Sequence, residues 1–219
     1  NEAGTLTFWG NSSDSVVSAT DDKMPHAYEE TWTGATKPTK GATSTNMFYY
    51  TNSALVDGVK VSASYTPSGT VEVTGSTEFG VEYTGVDGLL VGFASGTDEG
   101  AGAASEVDNT NMYVTYVYGA ATFGYQVNSS DSKVADADTD FTTMVISYAV
   151  NDDLSISYGV SEVDYQNNTT DQESDGLGIS YTMGSMTLAA SHNTHKNAGG
   201  LATDLADKSW YELELGFTF

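Results

Sequence analysis

"YELELGFTF", residues 211–219, closes the chain and alternates apolar with polar side chains. The odd positions carry Tyr211, Leu213, Leu215, Phe217 and Phe219, and the even positions carry Glu212, Glu214, Gly216 and Thr218. Successive side chains of a β-strand point to opposite faces of its sheet. The stretch therefore predicts a strand with one apolar face and one polar face that bears two carboxylates.

The same alternation recurs along most of the chain, and helical periodicity is nearly absent. In the stretch VKVSASYT (59–66), Val59, Val61, Ala63 and Tyr65 share one face, and the other face is polar. We predict an all-β chain of twelve strands, with approximate cores at residues 4–10, 46–51, 59–66, 78–84, 89–95, 111–118, 121–128, 141–149, 154–164, 176–183, 186–192 and 209–219.

The predicted strands form a hairpin repeat. Five tyrosines recur with spacings of 33, 33, 32 and 33 residues, at Tyr50, Tyr83, Tyr116, Tyr148 and Tyr181. Each precedes a short turn with the Gly, Asn or Asp that hairpins favour. The opposite ends are long and polar, at roughly 67–77, 96–109, 129–140, 165–175 and 193–207. A propeller needs about four strands in 40–50 residues, so two strands per repeat favour an antiparallel up-and-down meander that closes into a barrel.

Composition excludes several classes of protein. The 219 residues include 30 acidic side chains, seven lysines and no arginine, and the formal charge of −23 repels nucleic acid. The chain contains no run of about 18 apolar residues, which a transmembrane helix would require. Without cysteine, the chain fits a bacterial envelope protein among other classes. Because it lacks an initiator Met and a signal peptide, we expect a processed product or a fragment.

Three features favour a transmembrane barrel over a soluble β-sandwich or a secreted adhesin. The polar face is built of small residues with a few charges. Short turns lie at one end of the strands and long loops at the other. Aromatic residues border the aliphatic band at both ends, with Tyr50, Tyr83, Tyr118, Tyr148 and Tyr181 near the turns and Tyr65, Phe93, Tyr125 and Tyr158 toward the loops. We therefore expect the apolar face to contact lipid.

These patterns resemble the Gram-negative general porins, most closely the alphaproteobacterial type. The resemblance is carried by NMFYYTNSALVDGVKVSASYTP (46–67), VEYTGVDGLLVGFASG (81–96), DLSISYGVSEVDY (153–165), GLGISYTMGSMTLAASH (176–192) and the last strand. In that strand, Gly216, Phe217 and Phe219 resemble the C-terminal assembly signal of outer-membrane proteins. The resemblance implies an integral outer-membrane barrel of about 16 strands, a homotrimer surrounded by lipid and lipopolysaccharide. Since twelve strands are visible, either N-terminal strands are missing or the barrel is smaller.

The resemblance also implies a single barrel domain over 1–219 and an inward-folded constriction loop over 11–45. The candidate constriction residues are Asp21, Asp22, Lys23, Glu29 and Glu30, and the candidate wall residues are Lys60, Glu82, Glu212 and Glu214. Such porins usually carry an arginine cluster facing this loop, and this chain has no arginine. A carboxylate-rich constriction favours cations over anions, so we predict a cation-preferring pore.

The predicted function is passive diffusion of small hydrophilic solutes through a water-filled channel, without enzymatic activity. The alternatives are a non-porin barrel acting as an anchor, receptor or enzyme, and a soluble all-β surface protein. An enzyme would have to use His192 or His195 near the rim, and no nucleophile motif accompanies them. A spacing of three residues also places these two histidines on opposite faces of a strand.

No cofactor is expected, and the metal candidates are weak. DADTD (Asp136, Asp138, Asp140) resembles the start of a calcium loop but lacks the following Gly and the closing Glu. DQESD (171–175) is similar, and both stretches fall in predicted external loops. Their carboxylates could hold Ca²⁺ or Mg²⁺ bridging to lipopolysaccharide phosphates, or they could be solvated acids.

Overall fold

A computed structural model of the chain describes residues 2–11, 14–37, 46–69, 75–99, 105–168, 170–203 and 205–218. Its elements are β1 (Thr5–Trp9), a 3-10 turn (Ser18–Thr20), β2 (Met47–Val56), β3 (Val59–Thr66), β4 (Ser76–Val86), β5 (Leu89–Asp98), β6 (Val107–Tyr118), β7 (Ala121–Ser132), β8 (Thr139–Ala149), β9 (Leu154–Tyr165), β10 (Gln172–Met183), β11 (Met186–Lys196) and β12 (Lys208–Phe217). The described residues contain no helix long and apolar enough to cross a membrane.

The strands follow one another in sheet order from β1 to β12, as an up-and-down meander requires. Tight turns join β2 to β3 and β4 to β5, and each contains the dipeptide Asp-Gly. Gly58 and Gly88 adopt φ angles of 72° and 73° there. Residues that carry a side chain rarely adopt this left-handed backbone conformation, so glycine permits the tight turn. The prediction of twelve strands in hairpin order is confirmed.

Several strands extend further into the long connections than predicted. β10 begins at Gln172, whereas its predicted core begins at residue 176, and β7 continues to Ser132 rather than 128. Polar residues at the strand ends keep the backbone pairing but not the apolar alternation, so the sequence pattern missed them. Similarly, β2 continues to Val56 through an irregularity in register between Asn52 and Val56. Tyr50 therefore lies within the strand. The prediction that it lies beside the turn is wrong.

The chain divides into two compact units. The first contains Asn1–Lys23, Pro38–Val114 and Val127–Asp140, and the second contains Met24–Lys37, Thr115–Gln126 and Phe141–Phe219. The predicted single domain over 1–219 stays a prediction.

Burial in the strands is the reverse of that in a soluble sheet. The buried strand positions are largely polar; among them Asn109, Asn111, Gln126, Asn128, Gln172 and Asn193 are at most 2 % exposed. The alternate positions are apolar and open, for example Leu213, which is 73 % exposed. We call these two sides the covered face and the exposed face. Soluble proteins rarely leave so large an apolar surface uncovered, so the exposed face is suited to lipid. Contact with lipid itself stays a prediction.

Candidate functional site

The stretch of the predicted constriction loop that is described without interruption, residues 14–37, lies against the covered face. Within the predicted loop 11–45, residue 11 and residues 14–37 are described, and the remainder lies outside the described residues. Residues up to Lys23 belong to the first unit and residues from Met24 to the second. We call residues 14–37 the covering segment and describe its two parts separately.

In the first unit, polar side chains of the strands hold the backbone of the covering segment. The buried Glu78 carboxylate accepts a hydrogen bond from the Val17 amide at 2.7 Å. The Asn111 amide donates to the Val17 carbonyl at 2.8 Å, and Asn128 donates to the Asp21 carbonyl at 3.1 Å. Val16 and Val17 pack with Ala94 as a small apolar cluster.

The second unit repeats this arrangement with different residues. Asn193 donates to the carbonyls of Glu30 and Thr33, at 2.8 and 3.3 Å. Nε2 of the buried His195 lies 3.0 Å from the Thr33 carbonyl. Since a carbonyl only accepts, Nε2 carries the proton, and Nδ1 accepts from the Ser174 hydroxyl at 2.8 Å. Other anchors join Ser157 to the Ala27 amide and Gln172 to the backbone of Thr36.

Glycines in the strands make room for the covering segment. A Cβ on Gly124 would lie 2.5 Å from Pro25 Cδ, and one on Gly159 would lie 2.6 Å from Thr31 Cγ2. These distances are too short for contacting carbon atoms. The strands are therefore shaped around the covering segment as well as bonded to it.

The candidate wall and constriction residues of the first unit form a mixed-charge group. Lys60 and Glu82 face each other on β3 and β4 and form an ion pair. The Tyr113 hydroxyl donates to the other oxygen of Glu82 at 2.6 Å, and Lys23 lies within electrostatic range of Glu82. Asp22 is exposed, and Asp21 is half-buried.

The candidate residues of the second unit form a carboxylate-rich group. The Tyr28 hydroxyl lies 3.4 Å from a Glu212 oxygen and 3.1 Å from a Glu214 oxygen, as a donor to these acceptors. Thr33 donates to both Glu29 and Glu30, at 3.2 and 3.0 Å. Burial, followed by the charge of the neighbouring Glu30, raises the pKa of Glu29. The structure thus brings Glu29, Glu30, Glu212 and Glu214 together, while the assignment of these groups to a pore stays a prediction.

Sequence reasoning missed the anchors. Several of the direct bonds to the covering segment come from Asn111, Asn128, Asn193 and His195. The sequence contains one signal for these anchors. They occur at polar strand positions, and a solvated face does not require side chains as long as an amide or an imidazole. His192 and His195 do lie on opposite faces as predicted, with His192 stacked on Tyr211 at 4.2 Å.

The metal candidates are not brought together. Asp138 accepts a hydrogen bond from the Ser132 amide at 2.8 Å, and Asp136 adopts a φ angle of 58° in the connecting turn. Among the described residues, no group of three or more His, Asp or Glu side chains is placed to hold a metal ion. Cation binding at the external loops stays a prediction. Of the assembly residues, Gly216 and Phe217 pair with β11, and Phe219 lies outside the described residues.

His26 is a titratable group within the covering segment. Its ring packs edge-on against Trp32 at 5.4 Å, and its Nε2 atom is buried without a hydrogen-bond partner among the described residues. Burial lowers the pKa of His26 from 6.5 to about 4, against an opposing effect of the negative Glu30. The folded protein therefore holds His26 neutral at neutral pH.

We expect acidification to loosen this part of the covering segment. The unfolded chain binds more protons than the folded chain between pH 6.5 and about 4, so His26 costs stability as pH falls through this range, by up to about 3 kcal/mol. Trp32 fluorescence in a Trp9→Phe, Trp210→Phe background should report the change between pH 7 and 4.5. His26→Phe should abolish it; an unchanged transition in that variant would assign it to another group.

The meander, the reversed burial and the polar covered face are typical of outer-membrane β-barrel proteins. Residues 2–200 match the family model described as Gram-negative porin, and the chain belongs to this family. The predicted recognition, fold class and outer-membrane location are confirmed; the alphaproteobacterial type stays a prediction.

Solved structures support the same fold. A structure described as porin matches with a TM-score of 0.73 and 15% identity, over 100% of this chain and 79% of that chain. A mutant of Rh. blastica porin matches with a TM-score of 0.67 and 17% identity, over 99% and 74%. The trimer form of OmpT, an outer membrane protein of Vibrio cholerae, matches with a TM-score of 0.64 and 16% identity, over 97% and 78%. No curated protein matches the sequence significantly.

Proposed function

We propose that this porin is a cation-preferring channel for small hydrophilic solutes, with the covered face as its water-filled lumen. The supporting observation is the carboxylate-rich group of the second unit, where Tyr28 connects Glu212 to Glu214 beside Glu29. Carboxylates near a narrow path lower the energy of a passing cation and raise that of an anion. Lys60 in the first unit is paired with Glu82, so its positive charge is offset.

The covering segment is proposed to be the constriction. It is anchored at several points along its length by strand side chains, in the first unit by Glu78 and Asn111 and in the second by Asn193 and His195. A peptide held in this way narrows the space that the strands surround without relying on its own secondary structure. It also brings Glu29 and Glu30 to the lumen.

The chain is further proposed to act as a homotrimer without enzymatic activity, in contact with lipid and lipopolysaccharide. The trimer form of OmpT of Vibrio cholerae supports the assembly, and membership of the porin family supports a passive channel. Solutes cross by diffusion and undergo no reaction.

Neutralising the carboxylates should reduce cation selectivity. Two unit charges about 4 Å apart interact by about 1 kcal/mol in water. We therefore expect Glu29→Gln/Glu212→Gln/Glu214→Gln to lower the cation-to-anion permeability ratio by about fivefold. Reversal potentials in planar bilayers under a KCl gradient measure this ratio.

A matched control is Asp108→Asn/Asp131→Asn/Asp164→Asn, which removes the same charge from exposed positions on the exposed face. It should leave the ratio unchanged. An equal loss in both triple variants would attribute selectivity to net charge and not to this group. The absence of any conductance from correctly folded protein would overturn the channel itself.

A further inference from the structure

One buried glutamine in the second unit bonds two segments that are far apart in the sequence. Gln172 begins β10 and is 1 % exposed. Its Oε1 atom accepts from the Thr36 amide at 3.2 Å and from the Gly199 amide at 3.0 Å, and its Nε2 atom donates to the Thr36 carbonyl at 3.2 Å. An amide oxygen has two lone pairs. Gln172 therefore holds the end of the covering segment and the chain between β11 and β12 through the same side chain.

The chain between β11 and β12, residues 197–207, is folded back on itself, and we call it the β11–β12 connection. The Ala198 amide donates to the Ala206 carbonyl at 3.2 Å, which ties its two ends together. Gly199 and Gly200 adopt consecutive left-handed φ angles of 73° and 71°, a conformation that glycine tolerates best. Because the ends are bonded to each other, a displacement of the connection carries Gly199 with it.

Hydrogen bonds hold this connection in place more than apolar packing does. The Asn168 side chain donates to the Gly199 carbonyl at 3.3 Å, and the Thr170 hydroxyl donates to the Gly200 carbonyl at 3.0 Å. Leu205, by contrast, is 95 % exposed and contributes little to the attachment. A segment with few buried apolar contacts opens at a lower free-energy cost than a core strand. The connection is therefore placed to detach while the strands stay folded.

An aromatic ring provides a second path from the connection to the covering segment. A Cβ on Gly200 would lie 2.8 Å from Cδ2 of Tyr165, so the ring lies directly against this glycine. The same ring packs on the apolar cluster of Trp32, Phe141 and Val163. Since Trp32 belongs to the covering segment, a movement of the connection at Gly200 is passed to the covering segment by contact.

We propose that the β11–β12 connection is a latch on the covering segment, and that its displacement releases residues 33–37. Both partners orient the Gln172 amide. Loss of the Gly199 bond lets this side chain rotate and lets water compete for the Thr36 pair. The proposal rests on the proposed function in one respect, because release widens the channel only if the covering segment is the constriction.

Gly200→Ala tests the latch, because it displaces the connection without removing a hydrogen-bonding side chain. The added Cβ would meet Tyr165 in a left-handed backbone conformation. Hydrogen exchange of the detergent-purified protein, read by mass spectrometry, should become about tenfold faster at residues 33–37. Residues 14–20, where the Val17 amide is bonded to Glu78, should exchange as in the parent. Single-channel recording should show a higher conductance level.

Gly184→Ala is the matched control for backbone strain. Gly184 also has a left-handed φ angle, of 61°, but it lies in the turn between β10 and β11, and a Cβ there would meet no atom within 4 Å. It should leave exchange at residues 33–37 unchanged. Asn168→Ala/Thr170→Ala is a second variant that frees the connection without strain, and it should act in the same direction as Gly200→Ala.

The exchange pattern separates the latch from the channel. Faster exchange at residues 197–203 without a change at 33–37 would overturn the proposal, because the connection would then move alone. An equal rise at residues 14–20 would also overturn it, as a general loosening. Faster exchange at 33–37 with unchanged conductance would support the latch and contradict the constriction instead. Coupling is reciprocal, so Gln172→Ala should speed exchange at both 33–37 and 197–203.

Discussion

Arginine in place of Leu213 is expected to prevent stable insertion of the barrel into membranes. Leu213 is 73 % exposed and pairs with Ala190 within the apolar band of the exposed face. A charged side chain on the lipid face of a barrel costs about 2–4 kcal/mol at the bilayer midplane and less toward its boundaries. Urea unfolding in lipid vesicles and heat-dependent gel mobility measure the loss.

Leu205→Arg provides the matched control, because Leu205 is 95 % exposed but lies in the connection between β11 and β12. There, arginine should change stability by less than about 0.5 kcal/mol. A soluble surface protein would tolerate both substitutions equally, since both leucines are open to solvent. Equal tolerance would therefore contradict the membrane orientation.

Removing the anchors on β11 is expected to widen the channel and make its current noisy. Asn193→Ala/His195→Ala leaves the carbonyls of Glu30 and Thr33 without the strand donors that hold them. Each buried group that loses its partner costs about 1–3 kcal/mol, so this part of the covering segment should detach for part of the time. Single-channel recording and the uptake of sugars of increasing size into liposomes would show higher conductance and a higher size limit.

Ser180→Ala tests whether any polar loss on the covered face has this effect. Ser180 pairs with Ala189 and Ser155, and among the described residues its side chain makes no hydrogen bond to the covering segment. It should leave conductance and size limit unchanged. If the anchor variant folds and conducts like the parent, then the covering segment does not constrict the pore. Gly159→Val offers an independent check, because it displaces the segment by contact at Thr31 without removing a hydrogen bond.

The sequence predicted the strands well where apolar and polar residues alternate, as in Leu154–Tyr165, which was predicted over 154–164. It missed strand ends such as Gln172–Asp175, because hydrogen bonding of the backbone does not require apolar side chains. For the same reason, Glu173 and Asp175 were predicted to lie in a loop. In the structure they lie on β10 and share a face with Lys196, which is on β11.

The candidate site was predicted in part. The resemblance to porins selected Glu29, Glu30, Glu212 and Glu214, and the structure brings these carboxylates together through Tyr28 and Thr33. No sequence pattern indicates that Asn193 or His195 would bond a segment more than 150 residues away. Such contacts leave no periodic pattern, because each depends on a single side chain.

The sequence by itself determined the strands, their hairpin order and the apolar face, because these depend on local alternation and on turn residues such as Gly58 and Gly88. Only the tertiary structure decided where the covering segment lies and which side chains hold it. The physical reason is that alternation repeats every two residues and can be read locally. The place of an irregular segment is instead set by distant hydrogen bonds and by the space that residues such as Gly124 and Gly159 leave open.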